Sequence, residues 1–207
     1  LQPGPAEGSD TYVDQANPDN AYGDSSTCRI GKRNGSSYPG GAYRSLLRFD
    51  LSAIPLGAVV RKATLEVYAY NYDYSSNTFR FYRATSPWDE SATWNTQPTY
   101  DSSTTWASFG STTPYRTWVK KTVDVTDLVG AWHDGTYPNY GFYIRGSNEN
   151  YWSRHWFYSS DGSIESQRPK LVIEYEIPNP LILQPGPAEG SDTYVDQANP
   201  DNAYGDS

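Results

Sequence analysis

The residues best placed to do chemistry are aromatic ones in strict alternation. Tyr68, Tyr70, Tyr72 and Tyr74 recur at every second position, as do Trp152, Arg154, Trp156 and Tyr158. At period two, such residues share one face of a strand. Aromatic rings offer flat apolar surfaces to the C–H faces of sugars, and Arg or Asn can bond sugar hydroxyls or uronate groups. Tyr68, Tyr70, Tyr72, Trp152, Arg154 and Trp156 are therefore the candidate ligand-binding residues. Two other uses fit the same pattern: contact with a neighbouring module or chain, and plain cross-strand pairing among good strand formers.

Other chemistries find less support. His133 and His155 do not stand at metal-ligand spacing. No G-x-S-x-G elbow, phosphate loop or dinucleotide fingerprint occurs. Asp89 and Glu90 are adjacent, so on a strand they point to opposite faces and cannot work as an acid–base pair. No catalytic residues and no cofactor are expected. Asp10, Asp14, Asp19 and Asp24, with Asn17 and Asn20, place hard oxygen ligands in one short stretch, and Asn71, Asp73 and Asn77 form a smaller group. Neither has the spacing of an EF-hand loop, so no metal site is assigned. Structural Ca²⁺ is an ion these oxygens suit, set against their ordinary use as turn formers. Asn34-Gly35-Ser36 is an N-glycosylation sequon in a polar turn. Cys28, the single cysteine, alternates with Ile30 and reads as a small buried hydrophobe.

The elements that must position these residues are strands. In residues 63–70, Ala63, Leu65, Val67 and Ala69 alternate with Thr64, Glu66, Tyr68 and Tyr70. Leu47, Phe49 and Leu51 share a face, as do Val119, Val123 and Val125, and Phe142 and Ile144. In the last such run Leu171, Ile173, Tyr175 and Ile177 read as inward, with Glu174 and Glu176 outward. Gly, Pro, Ser and Asn clusters separate the runs. Helix is expected only over residues 126–132, with Thr126 as N-cap candidate and a stop at Gly135. Trp88 and Trp94 read as rings filling a sandwich edge. The fold class is all-β, an antiparallel two-sheet β-sandwich of jelly-roll type.

Domain organisation follows from a literal repeat: residues 183–207 reproduce residues 1–25 letter for letter. Residues 1–177 read as a complete module, 178–191 as a Pro-rich linker, and 192–207 as the first-strand region of the next identical copy. Leu181, Ile182 and Leu183 are unusually apolar for a free linker. With Tyr194 and Val195 they are the expected inter-module contacts, joining identical neighbours head to tail. Met is absent, which fits a mature or excised fragment. No apolar run is long enough for a membrane span. A net charge of −8 argues against nucleic acid as partner. Tyr numbers 19 and Trp 7 against 19% charged residues, a makeup suited to a secreted protein that touches sugars or other proteins.

Several segments in order resemble the DNRLRE-domain family. They are Asp10-Thr11-Tyr12-Val13 with Asn20-Ala21-Tyr22-Gly23, then Leu46-Leu47-Arg48-Phe49-Asp50-Leu51-Ser52 and Ala63-Thr64-Leu65. Trp88-Asp89-Glu90-Ser91-Ala92-Thr93-Trp94-Asn95, Asn139-Tyr140-Gly141-Phe142 and Arg168-Pro169-Lys170-Leu171 follow. The resemblance implies a jelly-roll-like, secreted, non-catalytic module, often in tandem. Relatives include disaggregatase-type surface proteins and modules similar to alginate-type carbohydrate-binding modules. It carries no binding residues over to this chain. The expected function is a structural, adhesive module of an extracellular tandem-repeat fibre or surface array. The alternative is a carbohydrate-binding module of a secreted multidomain polysaccharide-active protein, with polysaccharide as partner.

Overall fold

A computed structural model describes residues 1–33, 40–72, 77–110, 115–178 and 198. The chain divides into two units, Leu1–Ile177 and Pro178–Ser207. Asn34, Asp73, Tyr74, Leu181, Ile182, Leu183, Tyr194 and Val195 lie outside the described residues.

The first unit holds ten strands: β1 (Ser9–Asp14), β2 (Thr27–Arg33), β3 (Gly41–Arg48), β4 (Val59–Asn71), β5 (Thr78–Arg83), β6 (Ala107–Gly110), β7 (Trp118–Asp124), β8 (Phe142–Gly146), β9 (His155–Tyr158) and β10 (Lys170–Glu176). All named strand pairings are antiparallel. One sheet runs β1–β3–β8–β5–β6. In the other, β4 carries β7 on one side, with β10 and then β9 along the opposite side, and β2 follows β9. This is the all-β, sandwich-like architecture expected from the alternation.

The core lies where the two inner faces meet. Leu47, Phe79, Phe81, Phe109, Phe142 and Ile144 come from the first sheet. Cys28, Ile30, Leu65, Val67, Val123, Phe157 and Leu171 come from the second. Leu128, Val129 and Trp132 of helix α1 (Thr126–His133) add to this cluster. The helix stands where expected, but Val125 rather than Thr126 holds the N-cap position and makes no side-chain capping bond. Thr126 Oγ1 instead donates to Asp124 Oδ1 at 2.6 Å, and the Ala63 amide donates to Thr126 Oγ1 at 2.9 Å. The hydroxyl ties the helix start to β4. Gly135 beyond it takes φ +81°, a left-handed conformation that suits glycine after a helix end.

Two inward assignments fail at the end of β10. Tyr175 is 43% exposed and Ile177 64% exposed. The β10–β4 register shifts between Glu174 and Tyr175, and the partners there are Val60, only partly buried, and Val59, exposed at the start of β4. The irregular register and the rim of the core, where Val60 is only partly buried, leave these side chains largely uncovered. Trp88 also departs from expectation. It is buried in a second cluster with Leu46, Tyr82, Ala84, Ala92 and Tyr143, so it covers the far face of the first sheet. Its indole N–H donates to Tyr140 O at 2.6 Å. Trp94 is half-buried beneath the Arg44 guanidinium, 4.4 Å from its ring centroid.

Candidate aromatic face

The outer face of the second sheet is set by the inner one. Ala63, Leu65, Val67 and Ala69 of β4 are buried in the core, so Tyr68 and Tyr70 must point outward. Ser153, His155 and Phe157 are buried likewise, which turns Trp152, Arg154, Trp156 and Tyr158 out. The expected alternation of residues 151–158 holds, although the hydrogen-bonded strand is only His155–Tyr158.

Register then brings residues from four strands into one row. Tyr70 stands opposite Trp118 of β7 on one side and Trp156 of β9 on the other, and Trp156 stands opposite Arg29 of β2. Ring centroids are 5.1 Å apart for Tyr70–Trp118 and 6.0 Å for Tyr70–Trp156. Tyr72 stacks on Trp156 at 4.9 Å, and Trp118 stacks on Tyr158 at 4.3 Å. Offset stacking at these distances adds about 0.5–1.5 kcal/mol per pair beyond burial. The rings are half-buried against one another, so they form a continuous surface instead of separate platforms. Trp152, 55% exposed, is the most open of the six expected residues.

Cations border this surface. The Arg154 guanidinium lies 4.0 Å from the Tyr72 ring centroid, and Arg116 lies 5.6 Å from it. Arg116 has φ +53°, the one positive φ at a non-glycine among the described residues, a conformation that costs energy to hold. Arg29 sits 5.4 Å from Trp156, 4.7 Å from Tyr12 and 5.8 Å from Tyr43. Tyr12 in turn stacks on Tyr22 at 4.3 Å. The track therefore runs from Trp118 through Arg29 to the β1–β3 corner. Lys120 is paired with Glu66 at 3.2 Å. Sequence reading missed Arg29, Arg116 and Trp118, because their place depends on cross-strand register and not on spacing along their own segments.

The acidic stretch does not converge. Asp10 is buried, accepting from Ser160 N–H at 2.9 Å and from the Cys28 thiol at 3.6 Å. Burial pushes its pKa up to about 6, against those two hydrogen bonds. Asp14 accepts from Ala16 N–H and Asn17 Nδ2, and Asp19 from Asn95 Nδ2. Asn77 bonds Asn148 O and Ser153 Oγ, both at 2.8 Å. These oxygens serve turns and loop ties. Among the described residues no three His, Cys, Asp or Glu side chains come together. Glu90 accepts from Asp10 N–H at 3.2 Å, while Asp89 binds the Ser91 N–H. His155 is buried with its ring 4.6 Å from that of Phe79. Cys28 is buried as expected. No helix among the described residues is long and apolar enough to cross a membrane.

The sequence model of carbohydrate-binding module family 96 matches residues 6–175, nearly the whole first unit. Of the resemblance drawn from sequence, the likeness to carbohydrate-binding modules is what this match carries; it does not extend to the DNRLRE name. No curated protein matches the chain.

Proposed function

The chain belongs to carbohydrate-binding module family 96, and from that membership we propose that it holds polysaccharide on the aromatic face of β7, β4, β9 and β2, without catalysis. One observation carries the assignment to this face: the in-register row Trp118, Tyr70, Trp156 and Arg29 across four strands. Such a row offers consecutive flat apolar surfaces to consecutive sugar rings. Arg29, Arg116 and Arg154 gather positive charge in a molecule of net charge −8. Guanidinium groups form charge-assisted, bidentate bonds to carboxylates, so a uronate-bearing glycan fits the face better than a neutral one. This reading takes the carbohydrate-binding alternative over the adhesive fibre, and it carries an extracellular setting with it. The identical repeat of residues 1–25 still favours a tandem arrangement, in which binding modules act together.

Affinity electrophoresis in gels containing uronate-bearing or neutral polysaccharide tests the proposal. The intact chain should be retarded most by the uronate-bearing polymer, and less as salt rises. Tyr70→Ala and Trp156→Ala should each weaken retention about tenfold, a loss of ~1.4 kcal/mol. Both rings lean on neighbours, so some stability falls with them. Arg154→Gln creates no large cavity and should weaken uronate binding selectively. A folded intact chain that no polysaccharide retards would sink the proposal; equal retardation of all variants would remove it from this face.

A further inference from the structure

Among the described residues β10 is an edge strand, and its open side already carries one rung of a ladder. The Leu1 ammonium donates to Leu171 O at 2.7 Å, and Leu171 N–H donates back to Leu1 O at 2.8 Å. Reciprocal bonds of this kind mark a hydrogen-bonded pair between antiparallel strands. The direction of backbone groups alternates along a strand, so the N–H and C=O of Ile173 face the same open side. The β10–β4 register is regular from Lys170 to Glu174, which keeps that alternation intact. Val172 is 36% exposed there.

The Leu1–Leu171 pair fixes the register of any residues ahead of Leu1. The first stands opposite Val172, the second opposite Ile173 and the third opposite Glu174. The sequence itself shows what precedes a copy of Leu1: Leu183 opens the second copy and follows Pro180, Leu181 and Ile182. We propose that the open edge of β10 is a docking site for this segment, each module's β10 receiving, as an added strand, the linker that leads into that module. The residue that repeats Ile182 ahead of Leu1 would then lie beside Val172, and the one that repeats Leu181 would form the rung with Ile173. The proline that repeats Pro180 would fall opposite Glu174, where a residue's N–H points away from β10, so the missing donor breaks no rung. A shift of one residue would put the proline where a donor is required. Strand addition also removes an open edge, which is an aggregation hazard.

Hydrogen exchange read by NMR tests the site. The 207-residue chain is compared with the same chain carrying Pro-Asn-Pro-Leu-Ile, the sequence of residues 178–182, ahead of Leu1. The Ile173 amide should exchange at least about fivefold more slowly in the extended chain, the factor one net backbone hydrogen bond supplies. The Val172 amide, facing β4, should not change. An extension reordered to Pro-Asn-Leu-Pro-Ile puts proline on the rung, where its ring meets Ile173 O in place of a donor, and should give clearly less protection. Equal Ile173 exchange with and without the extension overturns the proposal, as does equal protection by the reordered one. Protection that grows with protein concentration would mean that a second copy supplies the strand, and would overturn it too.

Discussion

Asp10 illustrates how one side chain can tie three segments together while weakening the fold at neutral pH. It lies on β1 and accepts hydrogen bonds from Cys28 of β2 and Ser160 beyond β9. Burial raises its pKa to about 6 in the folded chain, from about 4 when unfolded. Between those values the folded state binds more protons than the unfolded one, so this contribution to stability falls as pH rises from 4 to 6 and is constant above. The cost at pH 7 is on the order of 3 kcal/mol. Asp50, Asp89, Asp101, Asp124 and Asp134, which accept from nearby Ser or Thr groups and titrate below the usual carboxylate range, act oppositely. The comparison with Asp10→Asn cancels them. Urea unfolding of both proteins at pH 4 and pH 7 should show the variant gaining relative to the parent at the higher pH; a constant difference would refute the assignment. Phe49, 3% exposed in the main core, gives a simpler expectation: Phe49→Ala should cost about 3–5 kcal/mol in the same measurement. Its burial was legible from the alternation of Leu47, Phe49 and Leu51. The burial of Asp10 was not, since a polar residue is held inside by partners far away in sequence.

At the scale of elements, β2 decides how the two sheets join. Its first residues pair with β9 and its last with β3. The change falls at Gly31, which has φ +96° and lies where a Cβ would come within 2.1 Å of Ser153 O. Both the conformation and the space exclude a side chain. Gly31→Ala should therefore destabilise by more than about 2 kcal/mol, and it should displace Trp156 by pushing on the segment ahead of β9. Thermal unfolding together with tryptophan fluorescence checks this; a variant matching the parent in both would show that the corner is not tightly built. Strand interiors could be read from sequence because burial on one face imposes period two. The corner could not, because Gly31 reads alone as one more glycine, and its role appears only once Ser153 is placed beside it. The same limit explains Tyr175 and Ile177. Alternation gives the face on which a residue stands but not where the opposing layer ends. It also explains the candidate face: Tyr68, Tyr70, Tyr72 and Trp156 were legible as outward, whereas the stacking of Tyr70, Tyr72 and Trp156 into one row required the register that adds Trp118 and Arg29.

For the whole molecule, the repeat turns a binding question into one of valency. If residues 1–177 form one binding module and the same sequence begins again at residue 183, a longer polymer meets several identical faces in series. Between Ile177 and the repeat that opens at residue 183 stand five residues, 178–182, two of them proline, and an extended segment of that length would span roughly 15 Å at ~3.1 Å per residue. A short tether of this kind would offer a second face to a polysaccharide already held by the first at an effective concentration in the millimolar range, if one polymer can meet both. A chain of two complete modules should therefore bind long polysaccharide about 10²–10⁴ times more tightly than one module. Both should bind a short oligosaccharide equally per module, because a short ligand cannot span two faces. Isothermal titration with the two ligand lengths separates these cases. Equal per-module affinity for the long polymer would mean that the linker holds neighbouring faces where one polymer cannot meet both. Trp156→Ala in only one of the two modules should then return the pair to single-module affinity. A pair that keeps its full advantage with one face disabled would show that the gain comes from somewhere other than this aromatic row.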